Sequence, residues 1–261
     1  MEERTKVAVA GATGRVGRHV VDVLAERGHD AVPMSRSTGV DLVTGEGLAD
    51  ALAGVRIVID AASTPSPDEE AATRYFTTAT ANLHEAGARA GVQRLVVVSI
   101  IGLDKFATGY GAAKLAHERA ALDGPVPARI LRAAQFHEFV GQLVDWGRQG
   151  EVAYVPRMRT QLVAARAVAE ALVDLAFGAG GDTDRPAEFP EIAGPREENL
   201  AAMAALLVAR RGDAVKIEEV SDPKVAETEV WENGGLLPGP HAALAGPTFE
   251  EWLDTAHGDS R

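Results

Sequence analysis

Residues 11–17 read Gly-Ala-Thr-Gly-Arg-Val-Gly, and what flanks them leaves few folds open. Before them runs the short β-branched stretch 6–10 (Lys-Val-Ala-Val-Ala). After them, 15–27 places Val16, Val20, Val23 and Leu24 on one face of a helix, with Gly28 as its stop. Strand, glycine turn and helix in that order open a βαβ unit. The first glycine permits a tight turn, the second lets the backbone approach a pyrophosphate, and the third lets the helix sit close to the sheet. The helix start adds N–H donors and a positive dipole end for the phosphates. The spacing is G-x-x-G-x-x-G, one residue wider at its first step than the commoner dinucleotide fingerprint.

The chain beyond the turn keeps alternating. Strands are expected at 31–34, 55–62 (apolar except for Arg56 and Asp60), 94–101 and 128–133, and helices at 48–52, 69–90, 110–122 and 136–147. This rhythm predicts an α/β protein with a doubly wound, mostly parallel Rossmann-type sheet. Aromatics are only 5% of the residues, which suits a core of small and branched side chains between parallel strands and helices. From about residue 152 the pattern loosens. Helices are expected at 165–177, 197–211 and 248–256, a strand at 188–193, and a last edge strand at 215–220. No linker separates this tail, so 1–261 is expected to be one dinucleotide-binding domain. A small substrate lobe would come mainly from 135–165 and 195–261.

Charge and composition exclude several functions. A net charge of −12 repels phosphate backbones, so no nucleic-acid partner is expected. With no cysteine there is no thiolate nucleophile, disulfide or cysteine-ligated metal. The 7 histidines are scattered without ligand spacing, so no metal site is expected. No Gly-x-Ser-x-Gly elbow marks a hydrolase. No apolar run is long enough for a bilayer, and the polar first residues lack a secretory apolar region, which predicts a cytoplasmic protein with no membrane partner.

Two clusters carry candidate chemistry. At the end of the second strand stands Met34-Ser35-Arg36-Ser37, where an NAD site would carry an acid for the ribose hydroxyls. Arg36 with Ser35 and Ser37, helped by Arg15, fits a 2′-phosphate instead, so NADP(H) is expected over NAD(H). The turn residues Gly11, Thr13, Gly14, Arg15, Val16 and Gly17 would bind the pyrophosphate. The second cluster is Tyr110 and Lys114, four apart on one helix face, with Ser99 at the end of the preceding strand. An alkoxide left by hydride delivery needs a proton. A phenol can give it if a neighbouring ammonium draws its pKa down from about 10, while a serine hydroxyl steadies the oxygen.

The glycine turn, the strand Val96-Val97-Val98-Ser99, the Tyr110–Lys114 helix and the segment 130–139 (Ile-Leu-Arg-Ala-Ala-Gln-Phe-His-Glu-Phe) together resemble the atypical short-chain dehydrogenases related to NmrA. The late stretches 236–240 and 248–253 resemble the ends of such chains. The resemblance implies further roles. Lys114 would hold the nicotinamide ribose, and Ala61, Ala62 and Ser63 would pass the nicotinamide. Asp41 would lie near the adenine or simply cap its loop. Gln135, Phe136 and His137 would face a small-molecule substrate, with His137 either a second acid/base or a packing residue. Family members reduce ketones, quinones or activated double bonds, isomerise or dehydrate, or bind dinucleotide as redox sensors that often lack the tyrosine and lysine. The implied function is thus an NADPH-dependent oxidoreductase of a small carbonyl or quinone-like substrate, with a non-catalytic NADP(H) sensor or a same-fold isomerase or dehydratase as alternatives. Relatives occur as monomers or homodimers, so a homodimer is among the expectations.

If Arg36 reads the 2′-phosphate, Arg36→Ala lowers the ratio of NADPH to NADH affinity roughly tenfold or more, the worth of a charge-assisted hydrogen bond. Fluorescence titration with both nucleotides measures it, and an unchanged ratio removes Arg36 from the site.

Overall fold

The computed structural model describes residues 4–64, 66, 68–178, 189–225 and 227–256. Its elements are β1 (Lys6–Ala10), α1 (Gly17–Glu26), β2 (Asp30–Met34), α2 (Leu48–Ala51), β3 (Ile57–Asp60), α3 (Glu69–Ala90), β4 (Arg94–Ile100), α4 (Gly109–Leu122) and β5 (Ala128–Ala133). There follow α5 (His137–Gly147), β6 (Arg148–Gln149), β7 (Val152–Pro156), β8 (Arg159–Thr160), α6 (Ala165–Ala176), β9 (Glu191–Ala193) and β10 (Glu198–Asn199). The last are α7 (Leu200–Arg211), β11 (Lys216–Val220), α8 (Thr228–Glu232), β12 (Ala243–Leu244) and α9 (Phe249–Ala256). They form two compact units. The first takes in Met1–Ser99, Ala107–Arg132 and Val168–Pro190, the second Ile100–Phe106, Ala133–Ala167 and Glu191–Arg261.

The first unit is built on strands in the order β2-β1-β3-β4-β5. β1 pairs in parallel with β2 and β3, and β3 with β4. This is the mostly parallel Rossmann-type sheet with flanking helices that the alternation predicts. Val7–Ala10 and Ile57–Asp60 are buried throughout, as strands covered on both faces must be. Pro33 is tolerated in β2 because that strand lies at the end of this strand order, where a missing N–H leaves no ladder bond unmade. β3 is shorter than the expected 55–62. Asp60 turns its carboxylate back to accept from the Ala62 N–H at 2.9 Å, which ends the strand and shapes the loop after it. α3 begins where Asp68 accepts from the Ala71 N–H at 2.8 Å, with Glu69 and Glu70 in its first turn to suit the dipole. It ends at Gly91 in the left-handed region.

The second unit holds what composition did not foretell. β7 pairs in parallel with β11 and antiparallel with β6, and β8 pairs with β10. The segment expected at 215–220 as a last edge strand is formed at Lys216–Val220 and is the edge strand of this small sheet, beside β7. The helix expected from 197 starts only at Leu200. Residues 198–199 are taken by pairing with β8, and Asn199 caps α7 by accepting from the Ala202 N–H at 2.8 Å. The strand expected at 188–193 is formed at Glu191–Ala193, and residue 188 lies outside the described residues. The unit's core gathers Val140, Val144, Val155, Leu162, Leu207, Phe249 and Leu253.

The glycine turn itself is held by contact. Gly11 has φ +72°, and a Cβ there would come 2.7 Å from Ala62 Cα. A Cβ on Gly17, although its backbone is helical, would overlap the carbonyl oxygen of Gly11. Replacing glycine by alanine inside a helix ordinarily stabilises by about 0.5–1 kcal/mol. Gly87→Ala in α3, whose new methyl would meet only ordinary contacts at 3.5 Å, keeps that sign. Gly17→Ala reverses it, at a cost of about 1–3 kcal/mol from overpacking. Thermal unfolding of the two variants checks the pair, and an unchanged or raised Tm for Gly17→Ala contradicts the close approach.

Candidate functional site

The turn after β1 is closed by its own backbone: Gly11 N–H donates to Met34 O at 3.0 Å and Gly14 N–H to Gly11 O at 2.8 Å. Val16 stands at the N-cap of α1, and no side chain caps that end. Thr13 and Gly14 are exposed, Arg15 is partly covered, and Val16 and Gly17 are buried. The uncapped helix start, with an exposed glycine in front, fits a phosphate group.

At the end of β2, Ser35 opens a short 3-10 turn over Arg36–Thr38. Its N–H donates to Thr38 Oγ1 at 2.9 Å, and its hydroxyl lies 2.9 Å from that of Ser37. The Arg36 guanidinium is exposed and forms no ion pair with any described residue, so its charge is available to an anion. Asp41 takes the loop-capping role of the two open to it: its Oδ1 accepts from the Val43 N–H at 2.8 Å and the Thr44 N–H at 3.1 Å. Ala61 and Ala62 form the wall against which Gly11 packs.

Tyr110 sits in the first turn of α4. That helix is opened by Gly109, whose N–H donates to Glu69 Oε2 of α3 at 2.7 Å. The Tyr110 phenol shares a hydrogen bond with the Ser63 hydroxyl at 3.0 Å, and its ring meets Phe76 edge-on at 5.9 Å. Burial pushes the phenol above its ordinary pKa, and the Ser63 hydrogen bond pulls the other way without winning. Ser99 is not joined to this pair: its hydroxyl is buried on β4 with no hydrogen-bond partner among the described residues.

Lys114 departs from expectation. Instead of standing beside the phenol and lowering its pKa, its ammonium is sunk beneath the helix. There it donates to Val98 O at 2.9 Å and to His117 Nδ1 at 2.9 Å. It also lies 4.7 Å from the centre of the Phe76 ring, a cation–π distance. The physical reason is the acceptor supply, since β4's carbonyl and the imidazole one turn along α4 both face inward at this level. Burial lowers the Lys114 pKa to about 8, against the raising influence of Asp60 and Glu118.

Two buried residues linked to Lys114 escaped the sequence reading. His117 stacks on Phe76 at 4.7 Å, and its Nε2 lies 3.2 Å from Asp60 Oδ2. Burial and the charge of Lys114 hold the imidazole below its ordinary pKa. Burial of Asp60 works to raise its carboxyl, but the His117 hydrogen bond, with the Ala62 N–H and the Lys114 charge, outweighs it and keeps the group ionised. The signals were present: an acid inside an apolar strand, and a histidine three residues after a lysine. One turn on, Glu118 and Arg132 form a buried two-point ion pair at 3.0 and 2.8 Å.

Gln135, Phe136 and His137 belong to the second unit. Gln135 Oε1 accepts from the Thr160 hydroxyl at 2.7 Å, and Phe136 bridges to Val163. The His137 ring is 1% exposed, packed on Phe249 and Trp252, with Nε2 on Leu162 O at 3.1 Å. Burial drives its pKa down to about 4, so it is a neutral packing residue at working pH.

With this geometry in hand, comparison with known proteins is informative. Residues 11–122 match the NAD(P)H-binding family. An L-arabinose 1-dehydrogenase (NAD(P)(+)) of Haloferax volcanii is 34% identical over 103 residues, which are 36% of this chain and 40% of that protein, so the match spans less than half of that curated relative. A short-chain dehydrogenase/reductase superfamily protein of Agrobacterium tumefaciens with bound NAD aligns over 97% of this chain and 96% of its own, with TM-score 0.64 and 19% identity. A dTDP-4-dehydrorhamnose reductase of Bacillus anthracis in complex with NADP covers 99% of this chain and 100% of its own, with TM-score 0.69 and 15% identity. Residues 11–122 are thus similar to the NAD(P)H-binding family, and the chain shares the fold of these solved structures. No helix among the described residues is long and apolar enough to cross a membrane.

Among the described residues, Ser63 is the partner that draws the Tyr110 phenol back toward its ordinary pKa. Ser63→Ala therefore moves the Tyr110 titration to still higher pH. Ultraviolet difference titration, with Tyr110→Phe to identify the signal, reads the direction, and a fall or no change refutes the bond's role.

Proposed function

From a chain similar to the NAD(P)H-binding family over residues 11–122, on the short-chain dehydrogenase/reductase fold, we propose an NADPH-dependent oxidoreductase that reduces a small carbonyl or quinone-like substrate. The observation that carries this reading is the Tyr110–Ser63 hydrogen bond, which joins α4 to the loop whose residues Ala61 and Ala62 pack on the glycine turn. When bound, the dinucleotide supplies the hydride. Gly11, Thr13, Gly14, Arg15, Val16 and Gly17 would hold its phosphates, and Ser35, Arg36 and Ser37 its 2′-phosphate. Preference for NADP(H) over NAD(H) rests on the exposed, unpaired Arg36 and on the loop-capping engagement of Asp41.

The rest of the work falls to the chain's own side chains. Tyr110 keeps its proton through the neutral range because burial disfavours the phenolate, so it meets the substrate oxygen as a donor. Ser63 orients the phenol. Ser99, buried with an unused hydroxyl, is placed to bond an oxygen on which charge develops. Lys114 carries the local positive charge that a departing phenolic proton calls for, at the distance its backbone and imidazole acceptors impose. The reading carries with it a small-molecule substrate in a cytoplasmic setting, and the net charge of −12 speaks against nucleic acid.

A second reading, an NADP(H)-binding sensor, draws on one observation: Lys114 is bonded away from the phenol, which leaves Tyr110 a weak acid. The two separate in one experiment. NADPH oxidation is followed by absorbance against a panel of ketones and quinones, with wild type and Tyr110→Phe in parallel. The oxidoreductase reading expects turnover that falls by about 10²–10⁴-fold in Tyr110→Phe, the usual worth of a general acid. Tight NADPH binding with neither protein turning over any substrate establishes the sensor instead.

A further inference from the structure

A buried ammonium has three hydrogens to place and no water to place them in. Two of those on Lys114 are accounted for, on Val98 O and His117 Nδ1. An ammonium can only donate, so His117 Nδ1 must be bare and its proton must sit on Nε2. That Nε2–H faces Asp60 Oδ2 at 3.2 Å, while the other carboxylate oxygen is taken by the Ala62 N–H. Each group thus has one protonation state that satisfies its neighbours: carboxylate, neutral imidazole protonated at Nε2, ammonium. Phe76 closes the set by stacking on the imidazole and lying under the ammonium. All three charged or titratable side chains are buried.

The geometry points to Asp60 and His117 as positioning residues for Lys114: the carboxylate fixes the imidazole tautomer, and the bare Nδ1 then holds the ammonium with one N–H left for a bound ligand. As far as it concerns turnover, this rests on the oxidoreductase reading. As far as it concerns the lysine's proton, it stands alone. The groups that face the ammonium are few. β3 supplies Asp60, and α4 itself supplies His117 and Glu118. Glu118 is held by Arg132 of β5. α3 supplies Phe76, with Tyr75 beyond it, and β4 supplies a backbone carbonyl. Asp60 is the one carboxylate here not already held by an arginine, so it governs whether the lysine keeps its proton near pH 8.

The test reads the lysine directly. Asp60→Asn keeps shape and the Ala62 bond but turns an N–H toward His117 Nε2. The imidazole then flips its proton to Nδ1 and aims a donor at the ammonium. His117→Leu removes the acceptor, while His117→Asn restores one at the place of Nδ1. Nitrogen NMR of ring-labelled wild type should show His117 bare at Nδ1 and protonated at Nε2 through the neutral range. Carbon NMR at Lys114 Cε, assigned with Lys114→Arg, should show a midpoint near 8 that falls in Asp60→Asn and His117→Leu and is largely recovered in His117→Asn. If the protein turns over, the alkaline limb of kcat moves with that midpoint, and each unit of fall costs about tenfold in rate beyond it. A protonated Nδ1 in the wild type, or a Lys114 midpoint indifferent to both Asp60→Asn and His117→Leu, overturns the proposal. Should Asp60→Asn not fold, the wild-type tautomer and the two His117 variants decide. A wild type without turnover sinks the oxidoreductase reading and leaves the Lys114 result to judge this one.

Discussion

The closeness of the backbone at Gly11 is the constraint from which the first unit follows. Its missing side chain lets the turn rest on Ala61 and Ala62 and lets Gly17 start a helix against its carbonyl. Three elements meet there: β1 ends, α1 begins, and the loop after β3 passes beneath. A methyl group at either glycine would push one of them away by more than packing tolerates. The same contact fixes the path of residues 61–63, so Ser63 is delivered to Tyr110 by the glycine turn on the far side of the loop. The glycine turn and Tyr110 are thus joined through one loop.

α4 does the second part of the work by presenting different chemistry turn by turn. Tyr110 is at its start, partly exposed and bonded to Ser63. Lys114 and His117 lie deeper, and Glu118 beside them pairs with Arg132. Burying charges is costly unless they are paired or hydrogen-bonded; here Glu118 is paired with Arg132, and Lys114 donates to a carbonyl and an imidazole. The cost is met by acceptors from neighbours that are themselves rigid: a strand carbonyl, a carboxylate already locked to the backbone, and an arginine on β5. The lysine is held in position by this arrangement more than by its own helix, where a long side chain would otherwise sample solvent.

Much of this was legible in the chain and some was not, for identifiable reasons. The glycine turn, the strands and the helices of the first unit carry periodic patterns, and they lie within a few residues of where the pattern puts them. The limits shifted where a side chain claimed a backbone group: Asp60 shortened β3, and Asn199 delayed α7. The strand Val152–Pro156 was missed although its burial alternates, because five residues ending in proline give periodicity little to work on. Strand 216–220 was legible as an edge strand, but its neighbour was not, since pairing is settled by tertiary packing and not by the strand's own residues. The Asp60–His117 contact spans 57 positions, and no local spacing reports such a distance. What the sequence did carry was an acid in an apolar strand, a sign that something must meet it.

Tyr110 and Lys114 show how a spacing can be right about proximity and wrong about contact. Four residues on a helix bring two side chains to one face, but which way the longer one turns depends on where its donors find acceptors. Here the inward acceptors win, and the phenol is left to burial and to Ser63. A phenol held above its ordinary pKa is almost wholly protonated at neutral pH and makes a poor base. Such a group suits the direction in which a substrate oxygen takes up a proton far better than the reverse. Tyr110 and Lys114 thus answer to separate surroundings: the phenol to burial and Ser63, the ammonium to the acceptors that Val98 and His117 set beside it.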